Sequence, residues 1–267
     1  MNTTISFSGS IPQHYQELLT PFLFDGFSAD LMKRIDFTNA YNVLELASGT
    51  GSVTKQLLKH LPSGAHLTAT DLQADMLETA KQQILAANVS WDVVDMTNIP
   101  YIDGQYDLIV CQFGLMLVPD QLKALTEMRR VLKKDGRLVF SVWAGIQDNP
   151  VWEISGKVIE SFLGANPILQ VPGPFSLSAE NDTLDLLQQA GFNTTKSKLV
   201  TQAGQIESAG LAANGFLHGL PVFTMLSNKA PEMIPQIEHA LEKELAGQLG
   251  DHPLISPLQA WVFEIIK

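Results

Sequence analysis

The fold of this chain is decided by one stretch, Glu45-Leu46-Ala47-Ser48-Gly49-Thr50-Gly51. An apolar run of strand type, 42–47, leads into it, and a helical pattern with Val53, Leu57 and Leu61 follows it. A strand that passes through a glycine turn into a helix presents backbone N–H groups and the positive end of the helix dipole to a ligand. The stretch therefore predicts a strand–turn–helix unit with a ligand-binding turn.

A second signal is Asp71, which lies 22 residues after Gly49 at the end of the next predicted strand. An acidic residue at about this distance from a glycine turn is placed to accept hydrogen bonds from a ribose. The turn and the carboxylate together predict a nucleoside-bearing cofactor.

Strand and helix patterns alternate from residue 42 to residue 143. Helical spacing joins Met76, Ala80 and Ile84 on one face, and the connection 94–106 is predicted to be mostly loop. The strand-like runs, short and rich in Val, Ile and Leu, are Val43–Ala47, His66–Thr70, Val89–Val94, Tyr106–Cys111 and Arg137–Trp143. This alternation predicts a doubly wound α/β fold with a parallel sheet and right-handed crossovers.

The segments outside this core are mainly helical in pattern. We expect a helical cap over residues 1–40, a cofactor-binding core over 41–145, and helical coverings with the last strands of the sheet over 146–267. The expected helices after the core are 151–163, 179–190 and 204–250, and the expected strands are 194–201 and 260–267.

Composition narrows the class of protein. The 267 residues are 45% apolar and 17% charged, which predicts a folded chain. The net charge of −11 disfavours a nucleic-acid partner. The longest basic cluster, Arg129-Arg130 with Lys133-Lys134, is interpreted as a solvated helix face.

Cysteine and histidine usage predicts no metal site. Cys111 is the single cysteine, and the six histidines have no metal-ligand spacing. No signal-peptide pattern is evident, and the most apolar run, 108–118, is too short to span a bilayer. We therefore expect a soluble cytoplasmic protein. Cys111 is interpreted as a small buried residue, not as a nucleophile.

The glycine turn leaves more than one class of function open. A nicotinamide-binding fingerprint has a third glycine, where this chain has Thr54. A nucleotide triphosphatase would need a lysine after Gly51, where Ser52 stands. An NAD-dependent oxidoreductase and a non-catalytic cofactor-binding protein remain as alternatives.

Residues 42–143 resemble the class I S-adenosylmethionine-dependent methyltransferases of the ubiquinone/menaquinone-type, small-molecule branch. Ser48 departs from the Gly or Cys more usual at its position, but it is small enough to fit. The motifs that carry the resemblance are Val43–Gly51, Thr70–Leu77, Asp95-Met96, Tyr106–Gly114 and Leu132–Leu138.

The resemblance implies a Rossmann-like fold, with a mostly parallel seven-stranded sheet, an antiparallel last strand and helical cap segments. It implies S-adenosyl-L-methionine as cofactor and S-adenosyl-L-homocysteine as product. Asp71 would accept from both ribose hydroxyls, Asp95 from the adenine amino group, and Glu45 would meet the cationic amino group of the methionine part. The glycines would let the backbone approach that part, because a Cβ there would collide. The implied cofactor-binding residues are Glu45, Ala47, Ser48, Gly49, Gly51, Asp71, Leu72, Met76, Asp95, Met96, Cys111, Gln112 and Phe113.

The acceptor is expected to be a small, partly apolar molecule, methylated on oxygen, nitrogen or carbon. Phe113 and Trp143 stand at the carboxyl edge of the predicted sheet, where open sheets bind ligands, and are candidate pocket walls. A base is required only if the acceptor loses a proton. The candidates for it are His218, in an apolar stretch, and Tyr15, in the first predicted helix.

Overall fold

The computed structural model describes residues 7–170 and 172–267. Within them lies a seven-stranded sheet in the order β3-β2-β1-β4-β5-β7-β6. Its strands are β1 Asn42–Glu45, β2 His66–Asp71, β3 Val89–Val93, β4 Tyr106–Gln112, β5 Leu132–Trp143, β6 Thr194–Ile206 and β7 Leu254–Ile266.

Strands β1 to β5 pair in parallel, and β7 pairs antiparallel with both β5 and β6. This confirms the doubly wound, mostly parallel sheet with an antiparallel last strand. The strand order reverses between β1 and its neighbour β4. In an open sheet, such a reversal creates a crevice at the carboxyl ends of the strands.

Ten α-helices surround the sheet in the described part of the chain. They are α1 Ile11–His14, α2 Asp25–Arg34, α3 Ser52–His60, α4 Ala74–Gln83, α5 Gln121–Val131, α6 Pro150–Leu163, α7 Glu180–Gln189, α8 Ala209–His218, α9 Val222–Lys229 and α10 Ile234–Leu249. Helix α4 packs on β2 and β3, α5 on β5 and α7, and α10 on α6, α8 and β7. The last group forms a helical layer beside the antiparallel part of the sheet.

A ten-residue π-helix, Tyr15–Phe24, joins α1 to α2. Pro21 lies inside it and has no backbone N–H, so it interrupts a regular α-helical ladder. The hydroxyl of Thr20 donates to the carbonyl of Tyr15 at 3.1 Å. The helical prediction for the first 40 residues is confirmed over 11–34, whereas residues 1–6 lie outside the described residues.

The turn between α5 and β5 differs from the sequence prediction. The helical spacing of Leu122, Leu125, Met128 and Leu132, followed by Gly136, predicts a helix with a C-terminal glycine cap, but the helix ends at Val131 and β5 begins directly after it. Asp135 takes the left-handed conformation, with φ 62°. A Cβ on Gly136 would lie 2.9 Å from both Leu132 Cγ and the Lys133 carbonyl oxygen. The glycine is therefore required for close packing in the turn and not for a helix cap.

The two last strands are longer than the sequence patterns indicated. The prediction was 194–201 and 260–267, whereas β6 and β7 pair over their full 13 residues, from Thr194 with Ile266 to Ile206 with Leu254. The five strands of the core and the loop 94–106 are confirmed to within a few residues.

No single helix in the described residues has the length and apolar character to cross a membrane. Helices α8 and α9 pass that test only as a pair, and they are bent by 76° at the break between them.

Candidate active site

The glycine turn follows β1 at the reversal of strand order. Ala47, Gly49 and Gly51 all have positive φ, at 53°, 55° and 89°. Gly49 and Gly51 differ in what a side chain at each position would meet. A Cβ on Gly51 would lie 2.6 Å from Ile84 Cδ1, whereas a Cβ on Gly49 would meet only Met76 Cε, at 3.6 Å. Gly51 thus allows the turn to pack against α4, and Gly49 leaves open space at the sheet edge.

Asp71, the last residue of β2, holds the turn in place. One of its carboxylate oxygens accepts from the backbone N–H of Gly49 at 2.8 Å, and the other from that of Gln73 at 2.8 Å. The side chain is 9% exposed. Burial raises the pKa of this carboxyl even though the amide hydrogen bonds oppose the shift.

Glu45, the last residue of β1, is 1% exposed. The hydroxyl of Thr54 donates to its carboxylate at 2.7 Å. Burial, reinforced by the charge of Asp71, raises the pKa of Glu45 to about 8. Thr54 stands where a nicotinamide-binding fingerprint has its third glycine. Because it lies in the first turn of α3, its hydroxyl reaches Glu45, the acid at the end of the preceding strand.

The two carboxyl groups have no basic partner in the described part of the chain, since neither belongs to an ion pair there. The buried hydroxyl oxygen of Ser48, between them in sequence, has no hydrogen-bond partner there either. Unpaired buried charge is costly, and a cationic ligand offsets that cost. These residues therefore fit a ligand that carries a positive charge and hydroxyl donors.

Asp95 and Met96 follow β3 at the same edge of the sheet, where the Val94 amide donates to the Asp71 carbonyl at 3.0 Å. Asp95 is exposed, and one of its oxygens accepts from both the amide and the hydroxyl of Thr97. Met96 is partly buried. Of the other implied residues on this side, Leu72 is 55% exposed and Met76 is buried.

Residues at the end of β4 form the other side of the crevice. Cys111 is fully buried, and burial raises the pKa of its thiol to about 12, in keeping with a packing role. The side-chain amide of Gln112 donates to Ser28 Oγ at 3.0 Å. A Cβ on Gly114 would lie 2.3 Å from the Cβ of Ala47. The sequence analysis did not single out Gly114, which lets the loops after β1 and β4 approach each other.

An aromatic cluster lies next to this loop. Phe113, with φ 55°, stacks on Trp143 at a centroid distance of 4.1 Å. Phe24 and Phe27 belong to the first helical segment, which comprises residues 11–34. The centroids of their rings lie 5.3–6.0 Å from those of Phe113 and Trp143. Phe113 and Trp143 are nearly inaccessible, at 6% and 1%.

Tyr15 reaches the site from the first helical segment. Its ring stacks on Phe24 at 5.2 Å. Burial, and then the charge of Asp71, raise the pKa of the Tyr15 phenol, so the group stays protonated at neutral pH. A protonated phenol can donate a hydrogen bond but is a poor general base.

His218, the other candidate base, ends α8. Its Nε2 lies 3.6 Å from a Glu238 carboxylate oxygen, and its ring stacks on that of His14 and makes a tilted contact with that of Phe223. No contact described by the structure joins His218 to Glu45 or Asp71. The structure thus brings the cofactor candidates after β1, β2, β3 and β4 to one edge, while His218 belongs to the helical layer.

Comparison with known proteins identifies the family. A model described as a methyltransferase domain matches residues 43–136. The chain is 32% identical over 112 residues to a ubiquinone/menaquinone biosynthesis C-methyltransferase from Geotalea uraniireducens, covering 40% of this chain and 48% of the relative. It is 30% identical over 198 residues to a demethylmenaquinone methyltransferase from Lactobacillus johnsonii, covering 68% of this chain and 80% of the relative. The chain thus spans about half the length of the first relative and most of the second.

Solved structures share the fold. The YcgJ protein of Bacillus subtilis matches with a TM-score of 0.61 at 18% identity, over 91% of this chain and 98% of that one. The Haemonchus contortus phosphoethanolamine N-methyltransferase 2, in complex with S-adenosyl-L-methionine, matches with a TM-score of 0.58 at 13% identity, over 97% of this chain and 56% of that one. These structures show the fold alone. The family model and the two sequence relatives show that the chain belongs to the methyltransferase family that includes the ubiquinone/menaquinone C-methyltransferases and the demethylmenaquinone methyltransferases.

Proposed function

We propose that this protein transfers a methyl group from S-adenosyl-L-methionine to a small, partly apolar acceptor. The observation that carries the proposal is the pair of buried carboxyl groups, Glu45 and Asp71, around a glycine turn with no basic residue paired to either in the described chain. A sulfonium with an ammonium group and a ribose supplies the positive charge and the hydroxyl donors that this pair lacks.

The binding roles follow from the free acceptor positions of each group. Asp71 uses one lone pair of each oxygen on Gly49 and Gln73, which leaves the others for the two ribose hydroxyls. One carboxylate oxygen of Asp95 takes no part in the turn with Thr97. We assign to this oxygen a hydrogen bond from the adenine amino group, with Met96 against the adenine ring. Glu45 faces the ammonium group directly or through water.

S-adenosylmethionine, when bound, supplies a methyl group already activated on sulfur. The remaining work of the chain is to align the acceptor and exclude water, and such alignment is worth up to about 7–11 kcal/mol in model reactions. The rings of Phe24, Phe27, Phe113 and Trp143 are buried against one another, so this cluster supports the loop after β4 and does not itself present a free face to the acceptor. The names of the sequence relatives support a quinone-type aromatic ring and methylation on carbon.

The remaining assignments rest on the same proposal. The described helices of residues 1–40 serve as a cap on the core 41–145, and residues 146–267 supply helical coverings together with the last strands of the sheet. The acceptor is a small molecule and not a nucleic acid, because a net charge of −11 repels phosphate backbones. We assign the protein to the cytoplasm, where a lone buried thiol such as Cys111 stays reduced. The oxidoreductase alternative receives no support, since Thr54 occupies the third glycine position and binds Glu45.

Asp71→Asn tests the cofactor site by calorimetric titration with S-adenosylmethionine. The amide keeps the shape of the side chain but forfeits two acceptor positions and the charge, so we expect the Kd to rise about 10- to 100-fold. Asp185→Asn, at an exposed carboxylate of α7, is the matched control and leaves the Kd unchanged. Equal affinity in the wild type and Asp71→Asn would contradict the assignment.

The acceptor is tested by mass spectrometry after incubation with paired sets of apolar aromatic and highly charged candidate molecules. Gain of one methyl group by the apolar aromatic set is the expected result. Selective turnover of polyanions would overturn the proposed acceptor class, and cofactor binding without turnover of any candidate would favour the non-catalytic alternative.

A further inference from the structure

A cavity of about 530 Å³ lies at the edge of the sheet opposite the glycine turn. Its lining comes from the loop before β4, from α5 and from the end of β7, and includes Asp103, Gly104, Arg129, Arg130 and Lys267. Strands β4 and β5 begin here, whereas the candidate active site lies beyond their other ends. At about 3.3 Å per residue, the seven residues of β4 separate the two places by about 20 Å.

The two neighbouring arginines of α5 differ in how their donors are used. Arg130 places all five of its N–H groups: it binds both oxygens of Glu127, the Asp103 carboxylate and the carbonyls of Tyr101 and Ile99, at 2.7–2.8 Å. The sequence analysis interpreted the basic cluster as a solvated helix face, and this interpretation is wrong for Arg130. Its guanidinium connects the loop 99–103 to α5.

Arg129 has only one described bond, from Nε to the Gly191 carbonyl at 3.0 Å. Gly191 has a positive φ of 87°, and a Cβ on it would lie 3.2 Å from that Nε, so the turn and the guanidinium are in close contact. This hydrogen bond holds the Nε end of the Arg129 guanidinium group in place. Within the described residues, its two terminal nitrogens have no carboxylate partner.

Lys267 adds a second cation. Its ammonium donates to the Leu132 carbonyl at 2.6 Å, which uses one of its three N–H groups. The backbone of Lys267 is held by Gly136 and Asp135, so the side chain starts from a fixed point. Burial, and then the nearby charge of Arg129, lower the pKa of Lys267, while the carboxylate of Asp103 opposes the shift.

The acidic groups of the described residues near the cavity lie in solvent or bind other cations, so they compensate this positive charge only in part. Asp103 is 80% exposed and binds Arg130, as does Glu127. Asp107 binds Lys133, and Asp135 is exposed at the far end of the turn. Arg129 and Lys267 therefore face one cavity with at least three spare terminal donor nitrogens and a net positive charge, on a protein whose overall charge is −11.

We propose that Arg129 and Lys267 bind a phosphate group in this cavity. A guanidinium fork gives paired donors to two oxygens of a tetrahedral oxyanion, and an ammonium beside it contacts a third as a point charge. The cavity is larger than inorganic phosphate, so the ligand class is a soluble phosphate ester whose organic part fills the remaining volume. An anionic membrane surface would be repelled by the net charge of the protein.

Inorganic phosphate and glycerol phosphate are the probes, titrated calorimetrically against sodium chloride of equal ionic strength. We expect saturable binding of both to the wild type and no saturation with chloride. Arg129→Gln and Lys267→Gln should each weaken binding by at least about tenfold, because each removes a charge-assisted hydrogen bond. Lys81→Gln removes one surface charge elsewhere and should leave binding unchanged.

Two further measurements keep the result interpretable. Arg129→Lys keeps the charge and loses the fork, so its affinity should lie between those of the wild type and Arg129→Gln. Thermal unfolding without phosphate reports whether a variant is folded, and S-adenosylmethionine affinity should be unaffected by either substitution. Equal phosphate affinity in the wild type and a folded Arg129→Gln/Lys267→Gln double variant would overturn the site. Binding only to phosphatidylglycerol vesicles, with no response to soluble phosphates, would overturn the ligand class.

Discussion

At the scale of single residues, the burial of carboxyl groups dominates the chemistry of the site. Glu45 and Asp71 both have pKa values raised by burial, although Thr54 and backbone amides donate to them. The raised values follow because desolvation penalises the charged form and no basic side chain pairs with either residue in the described chain. A bound cation would reverse this effect.

Glu45→Gln tests the consequence for stability. The pKa of Glu45 is about 8 in the folded chain against 4.5 for the free side chain, so the folded state holds a proton that the unfolded state releases. The contribution of Glu45 to the free energy of unfolding of the ligand-free protein should therefore be most favourable below pH 4.5. It should become less favourable by up to a few kcal/mol as the pH rises to about 8. The neutral amide removes this part of the slope.

Urea unfolding of both proteins at several pH values between about 5 and 9 measures the effect. Asp71 contributes with the same sign and is unchanged in the variant, so some slope should remain. Parallel stability curves for Glu45→Gln and the wild type would show that Glu45 ionises normally in the folded chain.

Gly51→Ala tests the packing of the turn. The substitution combines a left-handed φ of 89° with a Cβ 2.6 Å from Ile84 Cδ1. Gly64→Ala is the matched control, because Gly64 has φ 83° and no atom within 4 Å of the added Cβ. We expect a loss of about 1 kcal/mol for Gly64→Ala, from backbone strain, and about 2–4 kcal/mol for Gly51→Ala, from strain and overpacking. If urea unfolding shows equal losses of stability for the two variants, α4 accommodates the Cβ added at position 51 without a free-energy cost.

At the scale of elements, the first helical segment is attached to the core by a small polar network. Ser28 on α2 meets Ser52 Oγ at 3.0 Å and accepts from the Gln112 amide at 3.0 Å, while Ser52 donates to Asp25 at 2.6 Å. These bonds connect α2 with the start of α3 and the end of β4, that is, with both sides of the candidate site. The aromatic contacts of Phe24 and Phe27 lie beside them.

Ser28→Ala should therefore affect both stability and cofactor binding. It leaves the partly buried Gln112 amide without its nearest partner, which destabilises by about 1–3 kcal/mol. If the segment covers the bound cofactor, the dissociation rate of S-adenosylmethionine should rise as well. Ser161→Ala is the control, because Ser161 is exposed and bonds only to the Val158 carbonyl of its own helix. Urea unfolding measures the stability, and stopped-flow displacement measures the dissociation rate of S-adenosylmethionine. A variant with lower stability but an unchanged dissociation rate would show that the first helical segment does not cover the bound cofactor.

At the scale of the whole molecule, one sheet carries two chemically opposite edges. The buried carboxyl groups Glu45 and Asp71 lie where β1 and β2 end. Arg129 and Lys267, two cations without a carboxylate partner in the described residues, lie where β5 begins and β7 ends. The antiparallel β7 produces this contrast, because it ends at the edge where its neighbour β5 starts, and Lys267 follows directly after it.

Ligand binding should stabilise the whole fold. S-adenosylmethionine at about 100 times its Kd adds about 2.7 kcal/mol to the free energy of unfolding, which corresponds to a rise in Tm of about 5–10 °C for a chain of this size. Thermal unfolding with S-adenosylmethionine, S-adenosylhomocysteine and NADH in parallel measures it. A shift with NADH and none with the adenosyl sulfur compounds would contradict the proposed cofactor.

The sequence by itself determined the core of the fold and the position of the turn. The five strands between Val43 and Trp143, the turn Ser48–Gly51 and the strand-end acid Asp71 were predicted from short-range patterns, because strand burial, helix periodicity and glycine turns are local properties. The extent of β6 was underestimated, because exposed polar positions obscure the alternation in this edge strand. The first half of β7 was missed with it, because residues 254–259 pair with β6 and not with β5.

Only the tertiary structure decided which side chains act together. Thr54 on Glu45, Gly114 against Ala47, and Gln112 on Ser28 join residues through folding geometry that no local pattern contains. The same holds for Arg129 and Arg130, which are adjacent in the chain and identical in chemistry, yet among the described residues Arg130 pairs with two carboxylates and Arg129 with none. Local sequence sets the conformation of each segment, whereas partners, burial and pKa values depend on what long-range packing places beside each group.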